Sequence, residues 1–494
     1  MDHVLGIDAG TTGVTALVVD ESGAVKGRGY REFPQSFPRP GWVEHDPDDW
    51  WRAMGEGIVE ALSHAGVESH TLAAVGLTNQ RETTVAWDPE TLRPVHPAIV
   101  WQDRRTADLC DRLREEGWED RIRERTGLVI DPYFSGTKLA WLLEHVPGLR
   151  VAAESGRAVF GTVDSYILAR LTGGGVHATD ATNASRTMLY DIRKLRWDGE
   201  ILERLGIPEA MLPEVRPSSG RFGVTAPDRF FGAGVPVSGI AGDQQAALFG
   251  QACFTPGSTK NTYGTGSFVL MNTGDRAPAS ESGLLTTIAY GGDGFVEYAL
   301  EGSIFVTGAA VQWLRDGLGL IASSEEIGPL AASVPDTGDV YFVPALVGLG
   351  APHWDPYARG TIVGVTRGTT RAHLARAAVE AMAYQTRDVV EAMRRDAGLP
   401  LTELKADGGA SVMDLLMQFQ ADLLGVPVRR PEIRETTALG ATYLAGLGEG
   451  VWSSREEVAD HWRLDREFVP SGDAEERYAR WRLAVERSLR WAST

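Results

Sequence analysis

A chain of 494 residues carries 48 lysines and arginines against 67 aspartates and glutamates, a formal charge of −19, which excludes nucleic-acid backbone or anionic lipid as partners. With 43% apolar and 23% charged residues it has the composition of a globular chain with substantial cores, long enough for two or three domains. Two cysteines, Cys110 and Cys253, exclude a disulfide framework or cysteine metal site, no long apolar run is present to span a membrane, and no leader is read at the start, so a cytoplasmic location is expected.

Residues 4–19 predict a β-hairpin with Gly10 and Gly13 at its turn and Asp8, Thr11 and Thr12 at its tip. Such a tip offers backbone N–H groups and hydroxyls to a phosphate, with a carboxylate nearby for Mg2+. Gly-Thr-Thr is also ordinary turn chemistry. A third strand is expected near Tyr30–Phe33. Asp46 as cap and Pro47 at the first position predict a helix from about Asp48 to His64. Short apolar strands then run out into two dense polar clusters, Asn79-Gln80-Arg81-Glu82 and Trp101-Gln102-Asp103-Arg104-Arg105. Loops of this kind gather at one side of a sheet, where α/β folds bind ligands. One charged amphipathic helix is expected over 105–125, and an apolar one leading from Asp131-Pro132-Tyr133 to 145.

The stretch from Gly239 to Gly250 reads as an apolar strand turning at Gly242 into an apolar helix from Gln244. A helix N-terminus favours an ionised acid, which makes Asp243 a candidate general base or metal-shell carboxylate. Capping the helix is the other role open to an aspartate there. The pattern of the first hairpin returns at Lys260–Met271, with Gly264, Thr265 and Gly266 at the turn. Two such hairpins, about 250 residues apart, suggest two similarly built domains rather than short repeats. A helix is expected around 303–316 and a long one from Arg371 to Ala397, ended by Gly398. Strand 404–406 leads into Asp407-Gly408-Gly409-Ala410 and a helix to Gly425, and charged helical segments fill 455–491. No lysine follows a glycine, so a bound nucleotide is held without a P-loop.

In this order and spacing, Asp8-Ala9-Gly10-Thr11-Thr12, Gly242-Asp243-Gln244-Gln245 and Asp407-Gly408-Gly409-Ala410 resemble the FGGY carbohydrate kinases of the actin–hexokinase superfamily. Gly76–Thr84, Ile99–Arg105, Phe160–Ser165, Thr182–Met188, Lys260–Gly266 and Glu301–Phe305 are similar to the members that act on glycerol, and the resemblance runs over residues 4–450. It implies an α/β fold of two ribonuclease H-like (actin-like ATPase) domains, 1–251 and 252–494, with mixed sheets flanked by helices and a cleft between them. The implied reaction is in-line transfer from ATP, with Mg2+, to glycerol, giving sn-glycerol 3-phosphate; a kinase for another small polyol or sugar is the alternative. Asp243 matches the base. Arg81, Glu82, Trp101, Tyr133, Asp243 and Phe268 match positions that hold glycerol, with Gln244 at their border. Thr11, Thr12, Gly13, Thr265, Gly308, Gln312 and Gly409 match nucleotide positions, and Asp8 and Asp243 the metal-associated acids. A homo-oligomer, dimer or tetramer, is also implied. Two residues depart from the pattern: Thr15 stands where the hairpin commonly carries arginine, and Met413 where many relatives carry an adenosine-contacting asparagine. Met413 is read as packing on the adenine face.

Overall fold

In the computed structural model, which describes residues 2–492, His3–Ala9 and Gly13–Asp20 pair as the expected hairpin. The third strand is Val25–Glu32, beginning earlier than expected. Its Lys-Gly-Arg-Gly run carries no strand signal. The glycines serve packing: a Cβ at Gly29 would lie 2.0 Å from the Gly57 carbonyl of helix Pro47–Ala65, which covers the strand. That helix has Asp46 as cap and Pro47 in its first turn, as the sequence predicts, and stops at Gly66 in the left-handed conformation.

Leu72–Asn79 joins His3–Ala9 in parallel, Pro236–Gly242 joins Leu72–Asn79 in parallel, and Ser219–Val224 closes the six-stranded first sheet antiparallel. The second sheet repeats the plan. Thr259–Tyr263, Ser267–Gly274 and Phe295–Ile304 form its antiparallel half, with Leu285–Gly292 beyond. Leu404–Asp407 and Val428–Pro431 follow in parallel, and Leu464–Phe468 closes the edge antiparallel. Each sheet has its own large apolar core. A third core lies under the helices Ala107–Glu115, Ser135–His145 and Gly199–Leu205.

The helices that follow matching strands, Asp243–Gly250 and Thr436–Gly448, pack on one another, and the second also lies across the first sheet. A side chain at Gly76 or Gly239 would collide with its backbone at 2.0 and 2.3 Å. The late part of the chain is thus sealed onto the early part, and their apolar contacts form a further core.

Three expectations are corrected. The single helix over 105–125 is two, Ala107–Glu115 and Glu119–Thr126, because Gly117 takes φ 80° between them. The helix expected at 303–316 starts only at Gly308, since Phe295–Ile304 is an inner strand paired on both sides. Within 455–491, Leu464–Phe468 is a strand. Its charged residues serve as cross-strand partners, Glu467 for Arg429 and Asp465 for Arg430, and so read as a helical surface in the sequence.

Candidate active site

Three neighbouring parallel strands of the first sheet, His3–Ala9, Leu72–Asn79 and Pro236–Gly242, end side by side, with Ala9 and Gly242 both in register with Asn79. Asp8, the Gln80-Arg81-Glu82 loop and Asp243 therefore gather at one sheet end, the usual place for a ligand in such folds. Asp243 is the first residue of its helix, with Gly242 in the cap position, and its side chain is 26% exposed. It sits where the unpaired N–H groups of the helix start favour a carboxylate.

Arg81 is the hub. Its Nε lies 3.0 Å from Asp243 Oδ1. Its two end nitrogens clasp Glu301 at 2.5 and 3.0 Å, and also reach Gln245 and the Tyr133 hydroxyl. Arg186 completes a square of charges, donating to Glu82 at 2.7 Å and Glu301 at 3.0 Å. All four members of the square are buried. Burial pushes the Glu301 carboxyl up, but Arg186 and Arg81 outweigh it and bring the group to about 2. Burial prevails at Glu82, whose carboxyl lies above its ordinary range despite the same two arginines. Glu82 also takes φ 61°, unusual for a side-chain-bearing residue, and its carbonyl is held by the Ser135 hydroxyl at 3.0 Å. Strained backbone of this kind persists only where surrounding contacts hold it.

Aromatic rings line the same place. Trp101 stands edge-on to Tyr133 at 5.6 Å and to Phe268 at 6.5 Å, and Arg81 lies over the Phe268 ring. Phe268 comes from the second sheet, so this wall spans both halves of the molecule. The Trp101 indole N–H donates to Thr11 Oγ1 at 2.9 Å, joining the wall to the first hairpin. Gln244 turns its carbonyl oxygen to the buried Lys260 ammonium, whose pKa is lowered to about 8 by burial, against the pull of Asp407 and Asp243.

In the first hairpin Thr12 is exposed, Thr11 partly buried and Gly13 tightly packed: a Cβ there would meet the Tyr30 hydroxyl at 2.7 Å. In the second, Thr265 is exposed. Its carbonyl accepts from Ala309 N–H, and that of Gly264 from Gly308 N–H, each at 3.0 Å. Gly308 thus lies against this turn, and Gln312 is exposed one turn further along the short helix Gly308–Gln312. Gly409 is exposed with open space around it, and Gly408 before it packs on the Tyr263 backbone beneath the second hairpin. Met413, partly buried, caps helix Asp414–Leu424 and packs beside Gly328, where its Sδ would lie 3.6 Å from a Cβ.

Asp8 is an acid with no counter-charge beside it among the described residues. Its Oδ1 is buried without a hydrogen-bond partner. Burial, and then the charge of Asp243, raise it to about 8. Among the described residues no group of three or more His, Cys, Asp or Glu side chains is arranged as a metal cage. Mg2+ in phosphoryl-transfer sites takes one or two carboxylates with phosphates and waters, so this pair of acids fits it.

Sequence reasoning did not assign Arg186, Glu301 or Lys260. The one signal was a charged residue inside an apolar run, at Leu300-Glu301-Gly302; Lys260 stands between Thr259 and Asn261 and gave none. Arg186 gave no such sign, since it ends a polar stretch that the fold buries entirely.

Two sheets built on one plan, each with a Gly-Thr hairpin, and an acid–arginine cluster bridging them define a phosphotransferase of the actin-like class. The sequence profiles narrow that class. The N-terminal domain of the FGGY family of carbohydrate kinases matches residues 3–250 and its C-terminal domain residues 259–449; the chain belongs to this family. It is 60% identical over 494 residues to glycerol kinase 2 of Thermotoga maritima, covering 99% of each chain. It is 60% identical over 496 residues to the glycerol kinase of Trichlorobacter lovleyi, covering 100% of each. Among solved structures it is similar to Plasmodium falciparum glycerol kinase with ADP, with a TM-score of 0.91 at 35% identity, covering 99% of this chain and 98% of that one.

Proposed function

We propose that the chain transfers the γ-phosphoryl group of ATP to glycerol, giving sn-glycerol 3-phosphate and ADP, with Asp243 as general base. The observation that carries the reading is the Asp243–Arg81 pair: a partly exposed carboxylate at a helix start, tethered through Oδ1, with its neighbours supplying polyol contacts. The relatives named glycerol kinase support the choice of substrate.

In this reading Arg81 and Glu82 hold the hydroxyls while Trp101, Tyr133 and Phe268 wall the carbon chain. As the acceptor oxygen bonds to the γ-phosphorus, the bond to the ADP oxygen breaks and the hydroxyl proton passes to the Asp243 carboxylate. Preorganised charge and positioning supply most of the catalysis in phosphoryl transfer. Asp8 and Asp243 would hold Mg2+, which offsets the triphosphate charge when bound. Thr11, Thr12 and Gly13 offer one phosphate turn and Thr265 the other. Gly308, Gln312, Gly409 and Met413 would receive the adenosine. The domain boundary is placed at 251/252. No helix among the described residues is long and apolar enough to cross a membrane; a cytoplasmic homo-oligomer is the accompanying proposal, checked by light scattering on the purified protein.

The test is ADP release measured with glycerol, with xylulose and with no acceptor. Strong stimulation by glycerol alone is expected; equal rates in all three would overturn the reading.

A further inference from the structure

Glu301 enters the site from the opposite side to every other charged member of the square. It lies on Phe295–Ile304, in register with Leu270 on one side and Leu285 on the other, so its backbone cannot move apart from the second sheet. Its carboxylate nevertheless spends itself on the first half of the molecule. One oxygen accepts from Arg81 at 3.0 Å and from Arg186 at 3.0 Å, and the other from Arg81 at 2.5 Å. Within its own strand it has only the Ser303 hydroxyl, at 3.4 Å. Its side chain is 0% exposed.

The charges explain why it matters. Arg81 and Arg186 are balanced by Glu82 and Glu301 inside the protein, leaving Asp243 as the one carboxylate of the group that faces solvent. Without Glu301 the two buried arginines would face a single buried acid. A guanidinium forks readily onto a carboxylate through two nitrogens, and the nearest carboxylate left to Arg81 is Asp243, already touched by Nε at 3.0 Å. Both Asp243 oxygens would then be occupied.

We propose that Glu301 is a positioning residue supplied by the second sheet: by clasping both end nitrogens of Arg81 it keeps that arginine from forking onto Asp243, so the acceptor site is complete only while the two halves of the molecule are in contact. The proposal rests on the reading of Arg81 and Asp243 as the acceptor site. It differs from a plain structural ion pair in its consequence, because the defect should fall on the acceptor and leave the nucleotide alone.

The experiment is steady-state kinetics on the full chain, with glycerol and ATP each varied, for the wild type, Glu301→Gln and Glu301→Asp. Removing one partner of a buried, hydrogen-bonded charge pair is costly, so kcat/KM for glycerol should fall roughly 100-fold in Glu301→Gln while KM for ATP stays within about threefold. Glu301→Asp keeps the charge and should recover part of the loss. Thermal melting of each variant shows that it is folded at the assay temperature. If Glu301→Gln is not folded there, Glu301→Asp carries the test: a rise in glycerol KM without a rise in ATP KM supports the proposal. Parallel changes in the glycerol and ATP constants, or none, in a folded variant overturn it while the wild-type activity stands. A wild type that glycerol does not stimulate removes the functional reading and this proposal together.

Discussion

The two Gly-Thr hairpins are the same local structure in different surroundings. The first is wired into its neighbours: Thr11 receives the Trp101 indole N–H, the Gly10 carbonyl receives the Gln80 amide, and Gly13 is pressed against Tyr30. The second is tied through its carbonyls to the start of helix Gly308–Gln312 and by Gly266, where a Cβ would meet the Ile304 carbonyl at 2.5 Å, and leaves Thr265 exposed. The residues matched to each side differ as well, Glu301 and Lys260 being the charges that the second sheet sends into the cluster of the first. The first sheet supplies Asp8, Arg81, Glu82 and Asp243 at its strand ends, while the assigned residues around the second hairpin are Thr265, Gly308, Gln312, Gly409 and Met413, none of them charged. A turn of one shape can therefore serve either as a joint between two binding sites or as a plain backbone surface. What decides is which side chains the fold brings to it.

The comparison is broken most severely by a substitution on the charged side. Asp243→Asn keeps the shape and removes the proposed proton acceptor, so kcat should drop by roughly 10²–10⁴-fold, the usual worth of a general base. Glycerol should still bind, as followed by tryptophan fluorescence. A variant retaining a tenth or more of the turnover would return Asp243 to the role of a helix-start acid. Next in size, Arg81→Ala leaves Glu301 and Glu82 short of a partner in the interior. Unsatisfied buried groups cost about 1–3 kcal/mol, which corresponds to a rise in glycerol KM of roughly 5- to 150-fold; unchanged kinetics would place the acceptor pocket elsewhere.

The hairpins themselves give the sharper, smaller contrast. Thr11→Val removes the acceptor for the Trp101 indole and should raise the KM for both glycerol and ATP, each by roughly 2- to 10-fold, the scale of one hydrogen bond. Thr265→Val should touch ATP alone. If both variants affect the two substrates alike, the wiring of the first hairpin has no functional meaning.

The smallest effect is on stability. His45 lies behind the first hairpin, its Nδ1 accepting from Trp50 at 3.2 Å and facing the Gln80 amide at 3.3 Å. Its Nε2 is buried without a partner. Burial lowers its pKa from 6.5 to about 4. Between those values the unfolded chain binds a proton that the folded chain refuses, so stability falls as pH drops from 6.5 towards 4. By pH 5 that amounts to about 2 kcal/mol. His45→Gln should flatten this part of a plot of melting temperature against pH; an unaltered slope would mean the ring is protonated in the folded protein.

Local chemistry was legible in the sequence wherever a short stretch contains its own cause. The two hairpins, the Asp46-Pro47 helix start, the Gly398 stop and the turn into Asp243 each follow from neighbours within a few residues. Arg81, Glu82 and Trp101 could be picked out because polar clusters at the ends of apolar strands are conspicuous. Burial of a charge is different in kind. Arg186, Glu301 and Lys260 are buried because partners from distant parts of the chain meet them, and an arginine or glutamate alone in a sequence reads as surface. The strand Leu464–Phe468 was missed for the same reason, its charges making sense only opposite Arg429 and Arg430. The sequence by itself determined the strand-and-turn units and the placing of Asp243 at a helix start, since these rest on propensity and local hydrogen bonding. Only the tertiary structure decided which arginine meets which acid and that Phe268 reaches Trp101 from the far sheet, because a buried ion is stable only when its partner has been delivered to it.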